Sequence, residues 1–153
     1  MDEPGLQLID IYAARLRIRE HTLRTPLVFS PALSEMTGSE IYLKLECWQR
    51  CGCFKVRGAS NMVAALSTEE RAQGVVTASS GNHGLAVARA AKSFGCASAT
   101  IVLPEDADRS KVEMIRRWEP KIIFNGSSYI EAYKCARRYA EEHDAVYVHS
   151  HSH

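Results

Sequence analysis

The feature that most constrains the fold is a regular alternation of strand-like and helical stretches after residue 74. Short apolar runs alternate with stretches of about 10 to 15 residues that have helical periodicity. The four runs cover 75–78, 99–103, 121–124 and 145–148, and the three stretches cover 82–94, 108–118 and 128–142. This alternation is typical of βαβ units. It predicts a three-layer α/β fold for Val75–Val148, with parallel strands, right-handed crossovers and helices on both faces of the sheet.

The first 74 residues are less regular. Residues 6–20 carry apolar side chains at helical spacing, and 41–45 alternate like a short strand. Between them, Thr25 precedes a proline and is therefore expected in extended chain. A second helix is predicted after Lys55, and a third is predicted from the Ser67 and Glu70 capping box, closing at Gly74.

Charge and apolar content exclude several classes of protein. The formal net charge is +1 and the pI is about 7.7, so nothing favours binding to nucleic acid or to a membrane surface. The apolar runs are much shorter than the ~20 residues that span a bilayer. The N-terminus has no apolar core of a secretory signal. Five cysteines, an odd number, fit a reduced, cytoplasmic protein.

Two groups of residues could suggest a metal site, and we predict none. Cys47, Cys51 and Cys53 are close together, but no second ligand pair follows at zinc spacing, so we interpret them as small buried thiols. His149, His151 and His153 could chelate an ion only if extended, and we interpret them as a loose tail.

The first segment with chemical meaning surrounds Lys55. Gly52 and Gly58 bracket this lysine, which lies between Phe54 and Val56 at a predicted helix start. Glycine allows a backbone to approach a flat ligand closely. A lysine amine in such a turn suits covalent attachment of an aldehyde, although a surface lysine on a helix is the simpler interpretation.

The second segment is Ser79-Ser80-Gly81-Asn82-His83-Gly84, between a predicted strand and a predicted helix. Free backbone N–H groups at a helix start favour anions. The two serine hydroxyls are expected to add donors, and Gly81 is expected to admit a ligand to contact distance. The segment is neither a Walker loop nor a Rossmann GxGxxG. An ordinary helix cap with a surface histidine remains an equal alternative for this segment alone.

Taken together, the two segments resemble those of the fold-type II pyridoxal-phosphate enzymes, in the branch of threonine/serine dehydratases and serine racemases. Thr25-Pro26-Leu27, Lys44-Leu45-Glu46 and Leu103-Pro104 extend the resemblance over nearly the whole chain. Cys51-Gly52-Cys53 departs from it, because the family usually has hydroxyl residues beside that glycine. The resemblance implies the three-layer αβα sheet of the tryptophan synthase β-like kind.

The resemblance also implies roles for individual residues. Lys55 would carry pyridoxal phosphate as a Schiff base and move the substrate α-proton, and Ser80 offers a hydroxyl on the opposite side. Phe54 would pack against the cofactor ring and Asn82 would bind its hydroxyl. The substrate carboxylate would lie against the loop residues, namely Ser79, Ser80, Gly81, Asn82 and His83.

Family members are considerably longer, and the glycine-rich phosphate loop that the resemblance implies lies beyond residue 153. We therefore expect a truncated form, with residues 1–74 belonging to the large cofactor domain and 75–153 forming the small domain with the loop. A missing C-terminal half, or homo-oligomerisation, would complete the truncated fold. Without such a partner, the helix after Lys55 is expected to expose Ala59, Met62, Val63 and Leu66.

Three functions remain open at this point. The first is an ammonia-lyase that converts threonine or serine to a keto acid and ammonia. The second is a racemase of the same family, for which Ser80 supplies the second-face hydroxyl. The third is a non-catalytic α/β module that binds small carboxylates.

Overall fold

A computed structural model describes residues 5–150, and His151 and His153 of the tail lie outside them. From Val75 onward, strands and helices alternate as the sequence predicts. Their bounds are α1 Leu8–Ile18, β1 Leu27–Phe29, α2 Pro31–Thr37, β2 Tyr42–Lys44, a 3-10 turn Glu46–Trp48, α3 Lys55–Ala65, α4 Thr68–Gln73, β3 Val75–Ala78, α5 Asn82–Ser93, β4 Ala99–Leu103, α6 Arg109–Arg116, β5 Lys121–Phe124, α7 Tyr129–Glu142 and β6 Val146–Tyr147.

The main sheet has four strands in the order β5-β4-β3-β6, and every neighbouring pair is parallel. Val75 at the start of β3 pairs with Ala99 of β4 on one side and with Val146 of β6 on the other. The predicted parallel sheet is confirmed. Because the strands run in one direction, the loops that follow them meet at the same edge of the sheet.

Alternate residues of the strands face two separate apolar clusters. Val75 and Ile101 belong to the cluster formed with α3, α5 and α6. Val76 and Val102 belong to the cluster formed with α7. Strand side chains alternate between faces, so a sheet buried on both sides needs apolar residues at every position. The three-layer arrangement predicted from the sequence is therefore confirmed.

The apolar face of α3 is not exposed, which corrects the expectation from the sequence. Ala59, Val63 and Leu66 are buried, and Met62 is half-buried against the same cluster. Their partner is α5, whose small residues Ala86 and Ala90 let the two helices approach closely. The cluster crosses the division predicted at residue 74, and that division stays a prediction.

The segment before residue 45 forms a small separate sheet. β1 and β2 pair antiparallel, with Leu27 opposite Lys44. Helix α2 between them was not predicted; a proline opens it at Pro31, and Gly38 ends it with φ of +68°. Large apolar side chains remain exposed in this part of the chain: Leu8, Ile9, Leu16, Leu27, Phe29, Met36 and Tyr42. Among residues 5–150, no helix has the length and apolar content needed to cross a membrane.

Candidate active site

Lys55 is the first residue of α3, as the sequence predicts. Its Nζ donates a hydrogen bond of 2.9 Å to the backbone carbonyl of Ser150, 95 residues away in the chain. The same nitrogen lies 5.5 Å from the ring centroid of Phe54. The Phe54 ring is exposed, so one of its faces is open to a ligand. The amine thus lies between the start of α3 and the segment that follows β6.

Lys55 shares a cavity of about 280 Å³ with the loop that follows β3. This volume is close to the lower end of the range for small-molecule sites. The structure therefore brings together the two segments that the sequence analysis singled out. The residues that line the cavity are Lys55, Ala78, Ser79, Ser80, Gly81, Asn82, His83, Tyr129 and Ser150.

The hydroxyl of Ser79 holds the loop in shape. It accepts hydrogen bonds from the backbone N–H of Gly84 at 2.8 Å and of Gly81 at 3.0 Å, and it donates to the Gly81 carbonyl at 3.2 Å. Its single proton is engaged within the loop, and the expectation that it donates to a ligand stays a prediction. Ser80 is exposed beside the cavity, and its hydroxyl remains the available one.

Asn82 is the first residue of α5 and carries a polar atom that needs a partner. Its side-chain oxygen is buried and has no hydrogen bond to any residue in the described range. Within the same range, the backbone N–H groups of Ser80 and Asn82 have no hydrogen bond. Buried amides almost always have partners, so an unpaired one in a cavity wall fits a bound ligand. The unpaired oxygen fits a donor such as a ligand hydroxyl, and the two N–H groups fit a carboxylate.

His83 is buried and lies between the loop and the segment after β6. Its Nε2 is 3.3 Å from the Val148 carbonyl. The same carbonyl accepts a hydrogen bond of 2.7 Å from the Thr77 hydroxyl. The imidazole thus ties the start of α5 to β6, and its ring edge still contributes to the cavity wall.

A charged network fixes the start of α3 from the other side. Arg57 donates to both carboxylate oxygens of Glu46, at 2.7 and 2.9 Å. The Thr25 hydroxyl donates to Glu46 at 2.5 Å, and Lys44 donates to the Thr25 carbonyl. The Arg57 guanidinium lowers the pKa of the Glu46 carboxyl, and burial opposes this only in part. Arg57 is two residues from Lys55, so the network orients the turn of helix that carries the amine.

Replacing Glu46 by glutamine is expected to lower the free energy of unfolding by about 2 kcal/mol at neutral pH, because charge-assisted bidentate bonds are lost. The pKa of Glu46 is lowered on folding from its ordinary 4.5. The stabilisation is therefore complete above that value and is lost as the pH falls through the folded pKa. Urea unfolding of both proteins at a series of pH values measures the difference. A difference that stays constant down to about pH 3 would contradict this role.

Three residues of the cavity, Ala78, Tyr129 and Ser150, are not among the predicted site residues. Tyr129 begins α7, and its hydroxyl is 3.2 Å from the Ser150 Oγ, while the Ser150 carbonyl contacts Lys55. Tyr129 follows the loop after β5, and Ser150 lies in the segment after β6. Both residues lie at the edge of the sheet where β3 ends. A signal was available, since residues at the carboxyl ends of parallel strands and in the loops that follow them are expected there.

Comparison with known proteins identifies a family for most of the chain. The model of the family described as pyridoxal-phosphate dependent enzyme matches residues 18–153. The L-threonine ammonia-lyase of Thermotoga maritima is 47% identical over 144 residues, which is 94% of this chain and 36% of that protein. A serine racemase of Oryza sativa subsp. indica is 41% identical over 139 residues, 91% of this chain and 41% of that protein. The chain thus spans about two fifths of the length of these relatives.

Solved structures agree with the fold. Maize serine racemase superposes with a TM-score of 0.89 at 40% identity, covering 96% of this chain and 44% of that one. The processed form of threonine deaminase isoform 2 from Solanum lycopersicum superposes with a TM-score of 0.82 at 30% identity, covering 97% of this chain and 42% of that one. The three-layer sheet described above is therefore the sheet of these enzymes.

Proposed function

We propose that this chain, which belongs to the family of pyridoxal-phosphate dependent enzymes, forms the lysine-bearing part of an ammonia-lyase. The proposed substrates are threonine and serine. The cofactor of the family is pyridoxal phosphate. The observation that carries the proposal is the shared cavity, in which the amine of Lys55 faces a loop with unpaired amide groups. The likeness to L-threonine ammonia-lyase of Thermotoga maritima supports the choice of reaction.

The residues of the two segments have separate roles in this proposal. Lys55 is the covalent anchor and afterwards the base at Nζ that takes the α-proton. Phe54 would pack against the cofactor ring, and the Asn82 amide would bind the ring hydroxyl. Ser80, Gly81, Asn82 and His83 hold the substrate carboxylate, and Ser79 keeps the loop in the shape that this requires.

When bound, pyridoxal phosphate supplies an electron sink next to the substrate α-carbon. The chain's own groups then orient the substrate and move its protons. The start of α5 and Nζ of Lys55 lie on the wall of one cavity. A substrate whose carboxylate is held at the start of α5 therefore has its α-carbon in a fixed position relative to Nζ. Loss of the α-proton and the β-hydroxyl removes one water, and hydrolysis of the product gives a keto acid and ammonia.

The experiment uses a chimera in which this chain replaces the matching stretch of the Thermotoga maritima L-threonine ammonia-lyase. With L-threonine or L-serine, the chimera is expected to release keto acid and ammonia in equal amounts. Keto acid is measured by reduction with a dehydrogenase, and D-amino acid by chiral chromatography. Formation of D-serine faster than keto acid would contradict the lyase and favour the racemase.

Racemisation is the second candidate, because serine racemases are among the similar proteins and Ser80 offers an exposed hydroxyl beside the cavity. We expect Ser80→Ala in the chimera to reduce any D-serine formation by about a hundredfold, since a second-face proton donor is lost. Keto acid formation is expected to fall less than about tenfold. Equal losses in both activities would contradict a role for Ser80 on one face only.

The proposal extends to assembly and location. The complete site requires the remaining part of the fold or a second copy of the chain, and we assign the protein to the cytoplasm. Fractionation of cells that express the tagged protein tests the location, and sedimentation tests the assembly.

A further inference from the structure

Three cysteines lie shortly before Lys55, and the structure places them in different surroundings. Cys51 is buried, Cys53 is half-buried and Cys47 is exposed, which corrects the expectation that all three are buried thiols. Cys53 packs against the apolar cluster to which Cys51 belongs. None of these three thiols lines the cavity of Lys55, so the proposed function gives them no role. Cys51 and Cys53 thus form a pair with one accessible member and one enclosed member.

The turn that carries Cys51 and Cys53 allows a bond between their sulfur atoms. One residue separates them, so chain geometry keeps their Cα atoms within about 7 Å. A disulfide spans ~4.4–6.8 Å between Cα atoms. Gly52 between them is exposed, has φ of +67°, and would meet no atom within 4 Å even with a Cβ. Glycine has the conformational freedom that the small ring of such a disulfide needs, and the space around it is open.

A buried guanidinium acts on the same pair. Arg89 of α5 is 6% exposed, and its Nη1 has no hydrogen bond to any residue in the described range. Burial raises the pKa of the Cys51 thiol, and the positive charge of Arg89 opposes this in part. Buried charges in proteins are usually paired. A Cys51 thiolate would supply the anion that Arg89 lacks.

The surroundings of the two thiols suit two different steps of a thiol–disulfide exchange. A small disulfide in solution reaches Cys53, because this side chain is partly exposed. Cys51 is enclosed, so it is shielded from reagents in solution and reacts with a disulfide formed beside it. The exchange needs a thiolate at the attacking sulfur, and Arg89 stabilises that form of Cys51.

We propose that Cys53 and Cys51 are a reversible site of oxidation that takes small-molecule disulfides and reshapes the turn before Lys55. First, the Cys53 sulfur attacks the small disulfide, forms a mixed disulfide and releases one thiolate. Then the Cys51 sulfur attacks the Cys53 sulfur and releases the second thiolate. The two protons of the protein thiols pass to the two released thiolates. Two protein thiols are thereby oxidised, and one small disulfide is reduced to two thiols.

The oxidation has a consequence for the neighbouring lysine. Phe54 and Lys55 directly follow Cys53, and Phe54 caps the start of α3. Bonding of Cys53 to the enclosed sulfur of Cys51 moves this turn, so the amine loses its position in the cavity. We expect oxidation to lower the capture of pyridoxal phosphate by about tenfold or more. This consequence rests on the proposed function, whereas the oxidation itself does not.

The oxidation is tested with oxidised glutathione on this chain and on the chimera, without cofactor or substrate. Trypsin cuts after Arg50 and after Lys55, so Cys51 and Cys53 lie on one short peptide and Cys47 lies on another. After alkylation of free thiols, mass spectrometry is expected to find the first peptide lighter by two hydrogen atoms than its reduced form. Cys51→Ser should stop at the mixed disulfide on Cys53, and Cys53→Ser should give neither product. A stable mixed disulfide in the original chain, or a link to the Cys47 peptide, would overturn the proposal.

The role of Arg89 is tested by the rates of the two steps. Arg89→Met is expected to slow closure of the disulfide by about tenfold and to leave formation of the mixed disulfide unchanged, because only Cys51 loses its counterion. Arg89→Lys keeps the charge and should retain most of the closure rate. Arg138→Met on the exposed face of α7 is the matched control and should alter neither step. Equal slowing of both steps by Arg89→Met would contradict the role of its charge.

The effect on Lys55 is tested in the chimera before and after oxidation. Cyanoborohydride reduces an imine and leaves disulfides intact, so the mass of the intact protein counts the linked cofactor. The oxidised chimera is expected to link much less cofactor than the reduced one, and the double substitution Cys51→Ser and Cys53→Ser should remove this difference. Equal linkage before and after complete oxidation would overturn the effect on Lys55. Failure of the reduced chimera to link any cofactor would count against the proposed function, and the peptide masses would still decide the oxidation.

Discussion

Replacing Lys55 by alanine in the chimera is expected to lower turnover of threonine by about a thousandfold or more, because one substitution removes both the covalent anchor and the base. Treatment of the original chimera with borohydride in the presence of pyridoxal phosphate should link the cofactor irreversibly to the peptide that contains Lys55. The variant should give no such peptide. Mass spectrometry of the digested protein and the keto acid assay measure the two effects separately.

Lys134→Ala is the matched control for this experiment. Lys134 lies on the exposed face of α7 and does not line the cavity, so its loss is expected to leave both the reduced link and turnover unchanged. Full turnover by the Lys55→Ala chimera would contradict the assigned role.

The isolated chain is expected to bind pyridoxal phosphate weakly. Among the described residues that line the cavity, Lys55 is the one lysine or arginine, and it is needed for the aldehyde. The phosphate group therefore lacks a second cationic partner there. A titration of the purified chain beside its Lys55→Ala variant measures this. Tight, Lys55-dependent binding with deamination of threonine by this chain alone would contradict this expectation. It would show that the groups of this chain are sufficient for cofactor binding and turnover.

Replacing Gly84 by alanine is expected to lower the free energy of unfolding by about 2 kcal/mol and to disturb the loop. A Cβ at this position would lie 2.8 Å from the Cγ2 of Ile101 and 3.0 Å from the Cβ of Ser79. Both neighbours are buried, so neither can move away without disturbing the sheet or the loop. Displacement of Ser79 also weakens its bond with the Gly84 N–H.

Gly58→Ala in the isolated chain is the control for this substitution, since both glycines are helical and only Gly84 has close neighbours. The same chemical change is expected to stabilise at one position and to destabilise at the other. Thermal unfolding of the two variants measures both effects. A loss of stability at Gly58 equal to that at Gly84 would contradict this explanation from helix propensity and contact distance.

The regular part of the fold could be predicted because its local signals agree with one another. The strand 75–78 is followed by a polar loop, and the structure buries the strand on both faces. Lys55 and Asn82 were both placed at helix starts, and both begin helices. Where periodicity, caps and turn residues indicate the same element, a sequence is sufficient to place it.

The parts that were missed depend on contacts between distant segments. The apolar face of α3 was assigned to a missing partner, yet α5 covers it, because the alanines of α5 admit a close neighbour. The hydroxyl of Ser79 closes its own loop through Gly84, and the residue types alone do not indicate that bond. Ser150 reaches Lys55 across 95 residues, and nothing local to either residue indicates that contact.

The packing of α3 on α5 has a consequence for motion at the candidate site. Lys55 begins one of these helices and Asn82 begins the other, and buried residues such as Val56 and Leu85 join them in one cluster. Collective motions on the microsecond to millisecond scale move well-packed bodies as units. The amine and the amide therefore keep their spacing when other parts of the chain move.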